Sequence, residues 1–137
     1  MNKLKGLKIS LCQMNVVPGR PDLNSAYIIN EIQKAAEREI NIIIFPELAT
    51  SGYLIADKFE DKWFADDVQR FNQEIINSVP NDLVAIFGTI VVSNGNGSTT
   101  LTIKGEDGRH RMHNAAIIAQ GRKALGHIVK TLQPHYR

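Results

Sequence analysis

The chain has 137 residues, 43% hydrophobic and 22% charged, which is enough apolar material for one folded domain and excludes a disordered chain. Its net charge of +2, with both signs scattered, gives no electrostatic case for nucleic-acid or membrane binding. A single cysteine excludes an internal disulfide framework, no stretch approaches transmembrane length, and the basic start lacks a signal peptide's apolar run, so a cytoplasmic protein is expected.

Residues 7–13 alternate, with Leu7, Ile9 and Leu11 on one side and Ser10 and Cys12 on the other, which predicts a strand. Val16-Val17-Pro18-Gly19-Arg20-Pro21 carries turn chemistry. Asp22 or Asn24 can cap the helix that follows. In that helix Tyr27, Ile28, Ile32, Ala35 and Ala36 recur at helical spacing. Asn41 ends the connection, and Ile42-Ile43-Ile44-Phe45 is an unbroken apolar run, the pattern of a strand covered on both faces. Strand, helix and strand over this length make a βαβ unit, so the two strands should be parallel. Pro46 lacks an N–H and should end the ladder. Glu47 is then held at the carboxyl end of the sheet, where open α/β sheets bind ligands. A solvated loop glutamate is the ordinary alternative.

Residues 51–64 read as a loop, with a short helical turn as the alternative within it, containing Tyr53, Phe59, Trp63 and Phe64. Residues 65–79 read as a helix with Val68, Phe71, Ile75 and Ile76 on one stripe, broken by Pro80-Asn81-Asp82. Residues 83–93 form a second long apolar strand, again patterned for burial on both faces. Then the pattern changes. Asn94-Gly95-Asn96-Gly97-Ser98 predicts a hairpin turn, 99–104 a short strand, and Gly105-Glu106-Asp107-Gly108 a second turn. A strand over 109–120, a turn at Gly121-Arg122 and a strand over 123–131 complete an antiparallel meander. The expected fold is α/β with a mixed sheet.

Several residues invite chemistry. Gly95-Asn96-Gly97 lacks a following helix, so it makes no phosphate loop. His110 and His113 point to opposite faces of a strand, and His127 and His135 have no partner at useful spacing, so no metal site is expected. Cys12 sits within a strand, where a buried thiol acting as a small hydrophobe is the commoner case than a nucleophile. Lys130 shares its face with Ile128, Gly126 and Ala124, and either snorkels at the rim or is buried against a carboxylate; spacing alone favours the rim.

Phe45-Pro46-Glu47-Leu48 followed by Gly52-Tyr53 resembles the glutamate motif of the nitrilase superfamily of carbon–nitrogen hydrolases. Residues 7–13 resemble that family's first strand, and Asn24 stands where its first helix commonly opens. His113-Asn114-Ala115 resembles its Tyr-Asn-Ala strand, with His113 in place of the aromatic. Lys130-Thr131-Leu132-Gln133-Pro134-His135-Tyr136 resembles its lysine motif. The Lys-x-x-x-Pro-x-Tyr spacing, with Leu48-Ala49-Thr50-Ser51-Gly52-Tyr53, is most similar to the glutaminase domains of glutamine-dependent NAD synthetases. The resemblance runs from about residue 7 to the last residue.

The resemblance implies a four-layer α-β-β-α sandwich with mixed sheets, of which residues 1–137 would be the N-terminal portion of a single glutaminase domain. It implies a Cys-Glu-Lys amidase. Glu47 would be the general base, Lys130 would stabilise the oxyanion, and Tyr53 and Tyr136 would line the substrate pocket. Glutamine or another small amide is the expected substrate, and a homo-oligomer the expected assembly. No cofactor or metal is expected for the glutaminase portion; ATP and magnesium are expected only in a separate synthetase domain. The family's nucleophilic cysteine lies downstream of the lysine, and no residue of this sequence matches it, so this chain by itself is expected to be inactive. Two alternatives stand beside this reading. One is another amidase or nitrilase of the superfamily; the other is a non-catalytic binding or assembly module that keeps the fold's first half.

Overall fold

A computed structural model describes residues 6–53, 62–94, 103–104 and 111–131. Its elements follow the order β1 (Ile9–Leu11), α1 (Pro21–Glu37), β2 (Ile42–Ile44), α2 (Lys62–Ser78), β3 (Val84–Asn94), β4 (Ile103–Lys104), β5 (Arg111–Gln120) and β6 (Lys123–Val129). The strands form one mixed sheet in the order β1-β2-β3-β5-β6, with β4 beside the end of β3.

The βαβ expectation holds. β1, β2 and β3 are parallel, with Ile9 opposite Ile42 and Ile42 opposite Val84. Both helices cover the same face of the sheet. Ile28, Ile32 and Ala35 of α1 join Ile75 and Ile76 of α2 in one core with Ile43, Phe87 and Ile117 of the sheet. Each isoleucine or phenylalanine among them contributes about 1.5–3 kcal/mol when fully removed from water. No helix among the described residues is long and apolar enough to cross a membrane.

The opposite face is different. Ile43 is buried, but Ile42 and Ile44 are only half-buried. Leu11 is 75% exposed and Ile128 65%. The apolar run at 42–45 therefore does not have the two-sided cover that its pattern predicts. With both helices on one side, nothing among the described residues lies over the other.

Two local readings are corrected. Neither Asp22 nor Asn24 caps α1: the cap position is Arg20, which has no side-chain cap bond. Asp22 instead pairs with the Arg20 guanidinium at 2.6 Å, which draws its carboxyl down to about 2. Helix α2 starts at Lys62, so Trp63 and Phe64 belong to it and not to a loop. Phe64 is drawn in because it packs with Leu48, Val68 and Ile90 in a second apolar cluster.

The meander is corrected as well. A hairpin at 94–98 would set the next strand antiparallel to β3, but β4 runs parallel to it, with Ser93 opposite Ile103. β5 takes the long edge of β3 instead, antiparallel from Ala85↔Ala119 to Ser93↔Arg111. The reason is burial: this pairing puts Ala115, Ile117 and Ala119 into the core, a larger return than a local turn preference offers. The turn residues at 95–98 and 105–108 lie outside the described residues. The last turn forms as read. Gly121 and Arg122 have φ of 58° and 61°, the left-handed pair of a two-residue hairpin, joining β5 to β6. A bulge opposite Ile118 and Ala119 returns Ala124 to the helix-covered face beside Ala119, so Ala124 does not share a face with Gly126 and Ile128.

Candidate active site

Backbone chemistry at the end of β2 sets the site. The Phe45 N–H donates to the Ile86 carbonyl at 2.8 Å, and Pro46, with no N–H, ends the pairing. The next bend is tight. Leu48 has φ of 49°, a left-handed conformation that costs a non-glycine residue about 1–2 kcal/mol. Burial of its side chain against Phe64, Val68 and Ile90 offsets that cost. Gly88 of β3 lies directly beneath. A Cβ there would stand 2.6 Å from the Glu47 Cα and 2.6 Å from the Leu48 nitrogen, and nearer still to the Pro46 carbonyl. Only glycine allows this approach. Glu47 is thus raised onto the uncovered face.

Lys130 arrives from the far side. Its N–H donates to the Asn114 carbonyl at 2.8 Å, carrying the β5–β6 pairing one step past β6. Its ammonium donates to Glu47 Oε1 at 2.6 Å. The Asn114 side-chain amide donates to the same oxygen at 2.5 Å. The Tyr53 hydroxyl also hydrogen-bonds to Glu47. The Lys130 bond does most to hold the Glu47 carboxyl below the usual carboxylate range; Tyr53 and Asn114 add to it, and slight burial opposes it. The side chains are 38% and 45% exposed, so the ion pair sits at a rim. It borders a shallow groove of about 350 Å³ floored by Ile44, Ile86, Gly88, Ala116 and Ile128.

The arrangement offers an ionised carboxylate able to take a proton, and beside it a cation able to meet developing negative charge. Both stand on an apolar floor at the carboxyl ends of β2 and β6, over the first half of β3. Residues 8–126 match carbon-nitrogen hydrolase, a stretch that covers most of the chain. The chain belongs to the carbon–nitrogen hydrolase family. It is 27% identical over 133 residues to a glutamine-dependent NAD(+) synthetase of Acinetobacter baylyi, a match covering 97% of this chain and 22% of that protein. Its fold superposes on a glutamine-dependent NAD(+) synthetase of Cytophaga hutchinsonii with a TM-score of 0.75 at 21% identity, over 93% of this chain and 19% of the other. It superposes on an amidase of Nesterenkonia sp. with a TM-score of 0.68 at 16% identity, over 95% of this chain and 44% of that one. The chain thus spans about a fifth of the synthetases' length.

In this carbon–nitrogen hydrolase chain the structure brings Glu47, Lys130 and Tyr53 together, while Tyr136 lies outside the described residues. Lys130 is at the rim, as its spacing favours, and it meets its carboxylate there without being buried. Cys12 stays apart. It packs against the core, hydrogen-bonds to Tyr27 of α1, and has Glu31 and Lys34 as its charged neighbours. Burial, more than those charges, pushes its thiol up, which keeps it protonated. Asn114 stands in the His113-Asn114-Ala115 motif, but sequence reasoning gives it no role beside Glu47. The signal was a polar amide immediately before the apolar run Ala115-Ala116-Ile117-Ile118.

Proposed function

We propose that this chain carries the base and the oxyanion-stabilising cation of a nitrilase-type glutaminase domain that supplies ammonia to NAD synthesis. The bond between Lys130 and Glu47 Oε1 on the open sheet face carries the reading. The match to a glutamine-dependent synthetase over nearly the whole chain supports the choice of substrate.

The chemistry follows from the pair. Glu47 is held ionised and ready to accept a proton from a nucleophile. Proton transfer cancels the carboxylate charge, so the Lys130 charge is released from its partner at the moment an oxyanion forms. Amide attack needs both events together, and one ion pair couples them. The nucleophile is a cysteine outside this sequence, so this chain alone turns over no glutamine. Tyr53 is assigned to substrate binding by its place beside Glu47, and Tyr136, outside the described residues, by its place in the lysine motif alone. ATP and magnesium belong to the amidating domain, and the open sheet face makes a homo-oligomer the expected assembly.

The test is a chimera in which this chain replaces the matching stretch of the Acinetobacter baylyi synthetase. It should release glutamate from glutamine, and Glu47→Gln or Lys130→Met should each abolish that release. Full activity in either variant overturns the assignment. So does glutamate release by the chain alone that survives Cys12→Ala. The likeness to an amidase fold supports a second reading, a related amidase of other specificity. A chimera active on simple amides but not on glutamine would favour it.

A further inference from the structure

Glu47 stands on the open face of the sheet, but the loop that carries it is tied down on the covered face. The tie point is Thr50, three residues on and fully buried. Gly88 brackets the stretch between them: its N–H donates to the Pro46 carbonyl at 3.1 Å, and its carbonyl accepts from the Thr50 N–H at 3.4 Å.

Each helix then holds Thr50 through one buried asparagine. Asn24 of α1 donates its amide to the Thr50 carbonyl at 3.0 Å and to the Val17 carbonyl at 2.9 Å. Its oxygen accepts the Val17 N–H at 2.9 Å. From α2, the Asn72 amide donates to the Ile90 carbonyl at 3.1 Å, which fixes which end of that side chain is oxygen. The oxygen therefore accepts the Thr89 hydroxyl, at 2.6 Å. The one proton of Thr89 is used there, so in the bond between the two threonine hydroxyls Thr50 must donate. The protons run in one direction, from Thr50 to Thr89 to Asn72.

Asn24, Thr50, Asn72 and Thr89 are all buried, and no buried side-chain polar atom among the described residues lacks a partner. Asn72 lies on the buried stripe of α2 with Val68, Ile75 and Ile76, where an aliphatic residue would serve a core equally well. What the aliphatic residue would not give is direction. A fully satisfied polar network allows one geometry, whereas apolar packing tolerates several. We propose that Asn24 and Asn72, acting through Thr50 and Thr89, are positioning residues that set the height and direction of Glu47 above the groove. Their value to catalysis rests on the reading of Glu47 as the base.

The test uses carboxyl-carbon NMR titration of Glu47 in this chain. Thr50→Val keeps the side-chain shape and the Thr89–Asn72 bond but removes the donor; Thr50→Ser keeps the donor. The Glu47 midpoint should rise toward that of an ordinary glutamate in Thr50→Val, because Lys130 and Asn114 no longer meet it, and should stay at the wild-type value in Thr50→Ser. An unchanged midpoint in Thr50→Val overturns the proposal. Should that variant not fold, Asn24→Ser breaks the hold from the other helix and carries the same expectation. If neither folds, the network is structural and the proposal fails. The titration needs no turnover, so it stands apart from the base assignment. In the synthetase chimera, Thr50→Val should lower kcat by about a hundredfold with KM for glutamine unchanged. Full activity of the Glu47→Gln chimera would overturn the base assignment and leave the titration to judge positioning alone.

Discussion

The two faces of this sheet share a backbone and obey different rules. On the covered face Phe87, Ile117 and Ile43 are sealed beneath two helices, and the polar side chains Thr50, Asn72 and Thr89 are bonded to one another. On the bare face Leu11 and Ile128 meet solvent, and the charged pair Glu47–Lys130 stands at the rim. The covered face excludes water from its side chains, and the bare face leaves its charged pair open to solvent. Glu47 connects the two, since its side chain lies on one face and its loop is fastened to the other.

The largest expected effect lies on the covered face. Phe87→Ala should cost about 3–5 kcal/mol in urea denaturation, since the buried ring leaves a cavity. Ile128→Ala, directed at the bare face, should stay within about 0.5 kcal/mol. Equal costs would mean that the bare face is covered in solution and that the contrast between faces is false. The next effect compares two glycines on the bare face. Gly88→Ala drives a Cβ into the backbone of residues 46–48 and should cost about 3 kcal/mol, the upper end for overpacking. Gly126→Ala meets nothing within 4 Å and should be neutral or stabilising by about 0.5 kcal/mol, because alanine restricts the unfolded chain more. If both are neutral, the Glu47 loop is not seated on β3 as described.

The same division decides what was legible in the sequence. Period and propensity give α1, α2, the parallel β1–β2 pair and the β5–β6 turn, because each follows from neighbours in the chain. The Pro46–Glu47 step is legible too, since a proline closing an apolar run has a fixed consequence for the backbone. The β3–β5 pairing is not, because local turn residues at 94–98 compete with burial that only the assembled core provides. The ion pair spans 83 residues, so spacing alone could not bring Lys130 to Glu47; motif resemblance put them in one site. Asn72 was hidden for the opposite reason. A single polar residue on an apolar stripe looks like noise until Thr89 and Ile90 stand opposite it.

The smallest effects are electrostatic, and they separate a pair within the site from a pair outside it. Glu47 has a folded-state pKa below its ordinary 4.5, so its contribution to stability is present above that value and lost as pH falls through the lowered one. The stability gap between wild type and Glu47→Gln should be under about 1 kcal/mol at pH 7, given the exposure of both partners, and should close in acid. A gap that persists unchanged once the carboxyl is protonated would mean that hydrogen bonds made by either form of the side chain, rather than its charge, hold Glu47. Asp22 supplies the comparison. Its carboxyl is lowered from 3.8 to about 2 by Arg20 on the solvent side of α1, so the gap between wild type and Asp22→Asn should fade only toward pH 2. Apart from Arg20, the donors that lower the Asp22 carboxyl are the backbone N–H groups of Asp22 and Leu23, not side chains from other elements. Raising salt should therefore weaken the Asp22 gap more than the Glu47 gap, where Asn114 and Tyr53 bind the carboxylate without any charge of their own. Equal salt sensitivity would reduce the Glu47–Lys130 contact to an ordinary surface ion pair.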